Sequence, residues 1–201
     1  MTPQSRIANI QVQVVCQTTG ELKEERVACE TFWKNGTSCV IIFFDRFGSK
    51  FSRLSARELS NIIMPTLKKN NIRFIGIGFD AKHLKTFVQG NVFDGELYVD
   101  SKKQCFKALQ FKRLSVFEVV RGDLAEKWRS AAKIAKKISL GGDGCRIGGV
   151  LIVDKNGKLL YEYDQKDTDE KSLALEMFQA LNLKRCKTVR FCLIEPTYYE
   201  I

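Results

Sequence analysis

Two serines, Ser49 and Ser52, stand three residues apart, directly after a strongly apolar segment (40–45) and at the start of a segment with helical periodicity. A strand, a short turn and two small side chains at a helix N-terminus are where dithiol oxidoreductases keep a C-x-x-C pair. The helix N-terminus lowers the pKa of the first thiol, its thiolate attacks a peroxide or disulfide, and the second cysteine resolves the product. The spacing therefore predicts a thiol oxidoreductase site in which both sulfurs are replaced by hydroxyls.

The hydroxyls change the chemistry that this site can support. A serine hydroxyl stays protonated unless a strong base accepts its proton. The only histidine, His83, is distant in the sequence, so we expect no histidine beside Ser49. We predict that His83 is a surface or interface residue. Because serine also caps helix N-termini, Ser49 and Ser52 are expected to be caps or inert placeholders rather than nucleophiles.

The seven cysteines offer few alternative sites. No two are spaced as C-x-x-C or as a zinc ligand set, and a single histidine nearly excludes a histidine-based metal site, so no metal is expected. In a reducing compartment most of these cysteines would be small buried hydrophobic residues. Cys145, just before a predicted strand, is the one thiol that could take over a redox role.

Composition and charge narrow the function classes. The net charge is +10, but the basic residues occur in scattered pairs without interleaved aromatics, which predicts a solvated surface and no nucleic-acid partner. No apolar run approaches the ~18 residues of a membrane span. The N-terminus has no signal-peptide pattern, so a cytoplasmic protein is expected. Glycine clusters at 76–78 and 141–144 match neither a dinucleotide fingerprint nor a P-loop.

The elements that would position residues 49 and 52 alternate between strands and helices. A capping-box pattern at Ser55 predicts the start of the first long helix, and an Asn156-Gly157 turn predicts a hairpin. Hydrophobic periodicity predicts strands over 10–16, 40–45, 72–79, 95–99, 150–153 and 159–163, and helices over 55–70, 81–89, 102–109, 123–139 and 169–181.

The order of these elements predicts the fold class. A strand–helix–strand unit is followed, after an insertion between residues 79 and 150, by strand–strand–helix. This is the thioredoxin plan, an α/β fold with a central mixed sheet flanked by helices. We predict one thioredoxin-like domain over residues 1–183 and a C-terminal tail over 184–201.

Several segments carry a more specific resemblance. They are R-F-G-(x)-x-x-(x)-R at 46–53, G-E-L-Y-V-D at 95–100, F-K-A-L at 106–109 and G-G-V-L-I-V at 148–153. Over residues 7–183 the chain resembles the prostamide/prostaglandin F synthases, a peroxiredoxin-like family of the alkyl hydroperoxide reductase/thiol-specific antioxidant group. The family motif is F-G-C-x-x-C-R, so the resemblance implies that Ser49 and Ser52 stand at its two cysteines.

The resemblance also implies a function. Family members are monomeric cytosolic enzymes that reduce lipid endoperoxides or peroxides, including those of prostaglandins and prostamides, with NADPH as electron donor. Because both thiols are replaced, we expect the chain as written to be inactive. The alternative is a natural redox-silent homologue that acts as a binding or regulatory module. The resemblance to peroxiredoxins implies an arginine just before the glycine-led strand predicted over 150–153; here Gly148 stands there and Arg146 lies two residues earlier, and we assign Arg146 no catalytic role.

Overall fold

The computed structural model describes residues 1–44, 46–48, 50–111, 113–114, 145–146, 148–164 and 170–183. The helices in these ranges are α1 (Pro3–Ile7), α2 (Thr31–Lys34), α3 (Lys50–Lys69), α4 (Leu84–Gln89), α5 (Gln104–Ala108) and α6 (Glu170–Ala180). The strands are β1 (Gln11–Val15), β2 (Leu22–Ala28), β3 (Cys39–Phe44), β4 (Arg73–Gly78), β5 (Glu96–Val99), β6 (Arg113–Leu114), β7 (Cys145–Arg146), β8 (Gly149–Val153) and β9 (Leu159–Asp164).

Seven strands form one mixed sheet in the order β2-β1-β5-β4-β3-β8-β9. The three central strands β5, β4 and β3 are parallel, and the outer pairs are antiparallel. Strands β6 and β7 form a separate two-stranded ladder. This arrangement confirms the predicted α/β thioredoxin-like fold with a central mixed sheet flanked by helices.

The sheet separates two apolar cores, because side chains of successive strand residues point to opposite faces. In β3, Val40 and Ile42 face a core that contains the apolar sides of α3, α4 and α6. Ile41 and Phe43 face a second core that contains residues of α1, α2 and α5. All six residues of β3 are buried, which confirms the prediction of a strand covered on both faces.

The first long helix begins earlier than its sequence pattern predicts. α3 starts at Lys50 rather than near residue 55, so the predicted capping box at Ser55 is wrong. The residues from Lys50 to Leu54 contain neither glycine nor proline, and the Arg53 side chain is bonded to the preceding loop. This tertiary contact supports an extra helical turn that periodicity alone did not indicate.

The sequence analysis did not predict α1, β2 or the short strands β6 and β7. β2 carries mostly charged, exposed side chains and is an edge strand paired only with β1 in the described part of the chain, so no apolar alternation marks it. α1 spans five residues and is fixed by the burial of Pro3 and Ile7. The predicted insertion after β4 is also part of the sheet, because β5 lies at its centre between β4 and β1.

Some predictions fall outside the described residues. These are the basic helix over 123–139, the glycine cluster at 141–144 and the tail over 184–201. The division into a domain over 1–183 and a tail over 184–201 stays a prediction.

Candidate functional site

The loop between β3 and α3 is anchored by one aromatic side chain. Phe47 is fully buried, and its ring centroid lies 4.9 Å from that of Phe87 and 6.3 Å from that of Phe44. Gly78 makes room for it, because a Cβ there would lie 2.6 Å from the Phe47 ring. The backbone of residues 46–48 is therefore held by the core on the α3 side of the sheet.

His83 lies directly against this loop. A Cβ built on Gly48 would lie 2.3 Å from Cδ2, 2.8 Å from Cγ and 3.1 Å from Nε2 of the His83 ring. His83 is exposed, which confirms the prediction of a surface residue. The ring packs on the residue that precedes Ser49; because Ser49 itself lies outside the described residues, the expectation that no histidine lies beside it stays a prediction. The loop after β4 brings His83 there, and no sequence spacing encodes that approach.

Arg53 ties the loop to helix α4. Its Nε donates to the backbone oxygen of Phe47 at 2.9 Å, and its Nη2 donates to Oγ1 of Thr86 at 2.6 Å. The Thr86 hydroxyl in turn donates to the backbone oxygen of His83 at 2.9 Å. One guanidinium thus fixes the loop before α3 and the start of α4, the two segments that contain Gly48 and His83.

The structure describes only one of the two predicted site residues. Ser49 lies outside the described residues. Ser52 is the third residue of α3 and is partly buried, so it lies inside the helix and the expectation that it caps the N-terminus is wrong for this residue. The early start of α3 is the reason for that error.

The electrostatics of this region favour negative charge. The first turn of α3 contains no acidic residue, and the N-terminus of a helix carries a partial positive charge. The Arg53 guanidinium adds a full positive charge beside the loop; burial first, and then the charge of Arg57, lower its pKa. Because arginine remains protonated at physiological pH, these groups would favour an anion such as a thiolate at the start of α3.

The other cysteines and Arg146 can now be placed. Cys29, Cys39 and Cys105 are buried, as predicted for small hydrophobic residues, whereas Cys16 is partly exposed. The backbone of Cys145 pairs with Leu114 in the β6–β7 ladder, and that of Arg146 pairs with Arg113. The Cys145 and Arg146 side chains lie outside the described part of the structure, so a redox role for Cys145 stays a prediction.

We looked in the described residues for a phosphate-binding loop, a metal site and a membrane-spanning helix. Gly76 and Gly78 lie within the buried strand β4, where they give space to aromatic rings rather than form a phosphate-binding loop. Across the described ranges, no three His, Cys, Asp or Glu side chains are grouped so that they could hold a metal ion. None of the helices in the same ranges is long and apolar enough to cross a bilayer.

Comparisons with known proteins connect this geometry to a family. Residues 58–167 match the AhpC/TSA antioxidant enzyme family, a range that begins after Ser49 and Ser52. The prostamide/prostaglandin F synthase of Aquarana catesbeiana is 38% identical over 138 residues, which are 67% of this chain and 68% of that relative. The protein of the same name from Danio rerio is 34% identical over 171 residues, covering 83% of this chain and 82% of the relative.

Solved structures agree with the fold. Peroxiredoxin Q of Xanthomonas campestris superposes with a TM-score of 0.60 at 12% identity, covering 89% of this chain and 92% of that one. The peroxidoxin BcpB of Mycobacterium tuberculosis gives a TM-score of 0.56 at 13% identity, covering 87% and 95%. The chain therefore belongs to the AhpC/TSA family of peroxiredoxin-like thiol oxidoreductases.

Proposed function

We propose that this chain is a thioredoxin-fold oxidoreductase of the prostamide/prostaglandin F synthase type, with its redox positions at residues 49 and 52. The observation that carries the proposal is the 34–38% identity to proteins of that name over two thirds or more of the chain. The substrate class is a lipid endoperoxide or peroxide. With serines at positions 49 and 52, the chain does not reduce this substrate.

Thiols at the two positions would supply the chemistry. A thiolate at residue 49 attacks one oxygen of the peroxide, so that an S–O bond forms and the O–O bond breaks. The other peroxide oxygen is released in that step as an alkoxide and takes up a proton. The thiol at residue 52 then attacks the first sulfur; the S–S bond forms, the S–O bond breaks, and the oxygen that was bound to sulfur leaves as a hydroxyl. Two thiols are oxidised to a disulfide while an endoperoxide is reduced to a diol. A hydroxyl pair has no equivalent of the disulfide, so neither step is available to the serines.

His83 and Arg53 support the first step. Both lie at the loop that precedes residue 49, Arg53 through its bond to the Phe47 carbonyl oxygen and His83 through its packing on Gly48. Positive charge beside a thiol lowers its pKa and increases the thiolate fraction at neutral pH. We assign Arg53 a positioning and electrostatic role and His83 a positioning role.

NADPH is proposed as the ultimate electron donor from the family resemblance. The described residues do not supply a binding loop for it, since Gly76 and Gly78 are strand residues that pack against aromatic rings. No step is therefore assigned to a bound dinucleotide. The assay must measure peroxide reduction separately from the use of NADPH as the electron donor.

The test is restoration of the thiols. The Ser49→Cys/Ser52→Cys variant is compared with the chain as written and with a matched control, Ser5→Cys/Ser101→Cys, whose two serines are exposed and lie outside the segment from β3 to α3. Peroxide and prostaglandin endoperoxide reduction are followed once with dithiothreitol and once with NADPH. We expect the restored pair to exceed both other proteins by at least about 100-fold with dithiothreitol.

Single variants assign the two roles. Ser49→Cys alone should react once with peroxide and accumulate a sulfenic acid that dimedone traps, because no resolving thiol follows. Ser52→Cys alone should not. A restored double variant that is folded, by circular dichroism, and still reduces no peroxide with either donor contradicts the proposal.

A second candidate function is binding without turnover. The contacts that anchor the loop are made by Phe47, Arg53 and Gly78, and they are present although both thiols are absent. A redox-silent module would bind a stable endoperoxide analogue, with carbon in place of the peroxide oxygens. Titration calorimetry should then give the same Kd for the chain as written and for the Ser49→Cys/Ser52→Cys variant. A Kd that appears only after restoration favours the enzyme.

A further inference from the structure

Two cysteines that are far apart in sequence touch in the second core, on the sheet face opposite α3. The Sγ atoms of Cys29 and Cys105 are 3.8 Å apart, and neither residue has exposed surface. Cys29 follows β2, and Cys105 is the second residue of α5. This pair is separate from residues 49 and 52, because Phe47 belongs to the other core.

The backbone holds both cysteines in place. The Cys29 amide donates to the backbone oxygen of Ile10 at 3.0 Å, and the Cys105 amide donates to Oδ2 of Asp100 at 2.7 Å. A disulfide has an S–S distance of about 2.05 Å, so the sulfurs need to approach by about 1.8 Å. The 3.8 Å contact therefore already brings the two sulfurs next to each other, and the remaining approach is less than the length of one covalent bond between them.

We propose that Cys29 and Cys105 are an oxidation site at which a small hydroperoxide forms a disulfide. Cys29 attacks one peroxide oxygen as the thiolate; the S–O bond forms, the O–O bond breaks, and the leaving alkoxide takes up the proton that Cys29 released. The Cys105 sulfur then attacks the Cys29 sulfenic sulfur, the S–S bond forms, and hydroxide leaves with the Cys105 proton as water. Two thiols lose two electrons, and the hydroperoxide gains them.

The surroundings decide which sulfur attacks and how large the oxidant can be. The hydrogen bond with Cys29, burial and the nearby Asp100 carboxylate raise the pKa of Cys105, so this sulfur is not the first to attack and loses its proton only as hydroxide leaves Cys29 as water. Because both sulfurs are shielded, only a small oxidant such as hydrogen peroxide reaches them, through local opening of the turn after β2, the exposed edge strand. The site therefore takes a different oxidant from the lipid peroxide proposed for residues 49 and 52.

The test is peptide mapping of the full chain. The reduced, folded protein is treated with hydrogen peroxide, remaining thiols are blocked with N-ethylmaleimide in urea, and the product is digested with trypsin. Cleavage after Arg26 and Lys34 releases the Cys29 peptide, and cleavage after Lys103 and Lys107 releases the Cys105 peptide. We expect these two peptides to appear joined, with a mass two hydrogens below their sum, and the bond to disappear on reduction.

Thermal unfolding gives a second measurement. A cross-link between residues 76 apart restricts the unfolded chain, so the Tm of the oxidised protein should rise by about 5–15 °C. The Cys16→Ala protein is the matched control and should give the same cross-link, since Cys16 is not part of the pair. Cys29→Ala should lose both the joined peptide and the Tm increase.

Every outcome bears on the proposal. If N-ethylmaleimide alkylates Cys29 and Cys105 after the peroxide treatment, whether or not peroxide has consumed the partly exposed Cys16 thiol, the proposal is overturned. A Cys29 or Cys105 peptide joined to a different cysteine, or oxidised to the sulfinic acid without joining, overturns it as well. Because mapping uses the unmodified chain, the result does not depend on any variant that fails to fold.

Discussion

Replacing Gly48 with alanine tests the contact that places His83 at the candidate site. The added methyl carbon would lie 2.3 Å from Cδ2 of His83, whereas carbon atoms in contact are about 3.5–4.0 Å apart. The imidazole ring must therefore move by at least about 1.2 Å. Gly48 is not among the described glycines with positive φ, so its backbone accepts alanine without strain.

The size of the effect follows from two opposing contributions. Forcing the His83 ring off its preferred rotamer costs about 0.5–1.5 kcal/mol. Glycine to alanine at an unstrained position stabilises by about 0.4–1 kcal/mol through the unfolded state. Gly48→Ala should therefore be close to neutral in the native chain and stabilising by about 0.4–1 kcal/mol in a His83→Ala background. The coupling between the two substitutions should be about 0.5–1.5 kcal/mol.

Urea unfolding of four proteins measures this coupling. They are the native chain, Gly48→Ala, His83→Ala and the double variant, compared at equal m-values so that only stability differs. Lys82→Ala provides the matched background, because Lys82 is exposed, neighbours His83 in sequence and is not among the atoms nearest to the added methyl group. We expect no coupling there. A coupling below about 0.3 kcal/mol with His83 would show that the ring does not pack on Gly48 in solution.

Two further predictions concern thiols. Hydrogen bonds from the side chains of Thr18 and Thr19 and from their backbone amides lower the pKa of Cys16 to about 6. A fast alkylation phase with iodoacetamide, absent from Cys16→Ala, should therefore be half-maximal near pH 6 and flat above pH 7; a rate still rising towards pH 9 contradicts this. Burial raises the pKa of Cys39 from 9.0 to about 12, so between these values the folded protein keeps a proton that the unfolded chain loses. This contribution to stability is fully present below pH 9 and is lost as the pH rises towards 12. Above pH 9 the free energy of unfolding should therefore fall less steeply with pH in Cys39→Ala than in the native chain. The two slopes should differ by up to about 1.4 kcal/mol per pH unit. Equal slopes would show that Cys39 does not carry this dependence.

The buried central strands could be predicted because their signal is local. The run from Val40 to Phe44 is apolar at every position, and the structure buries it on both faces as β3. The edge strand β2 has no such run, and its pairing with β1 depends on backbone hydrogen bonds that leave no pattern in the side chains. The start of α3 was misplaced for a related reason, because the contact of Arg53 with the Phe47 carbonyl oxygen is tertiary.

The same distinction between local and tertiary signals applies to the serine pair, Ser49 and Ser52, and to the cysteine pair, Cys29 and Cys105. Ser49 and Ser52 could be proposed as a site because a C-x-x-C pair is a local motif, in which one helical turn sets the distance between the two positions. Cys29 and Cys105 share no motif, since their contact is made by the packing of α5 against the turn after β2. Spacing along the chain therefore predicts the first pair and gives no indication of the contact between Cys29 and Cys105.

Anchoring and chemistry are carried by different residues at the candidate site. Phe47 fills the space left by Gly78, and Arg53 bonds the Phe47 carbonyl oxygen and the Thr86 hydroxyl. None of these contacts uses the side chain of residue 49 or 52. The contacts of Phe47, Gly78, Arg53 and Thr86 therefore do not require thiols at residues 49 and 52. For this reason the family fold and serines at these two positions are physically compatible in one chain.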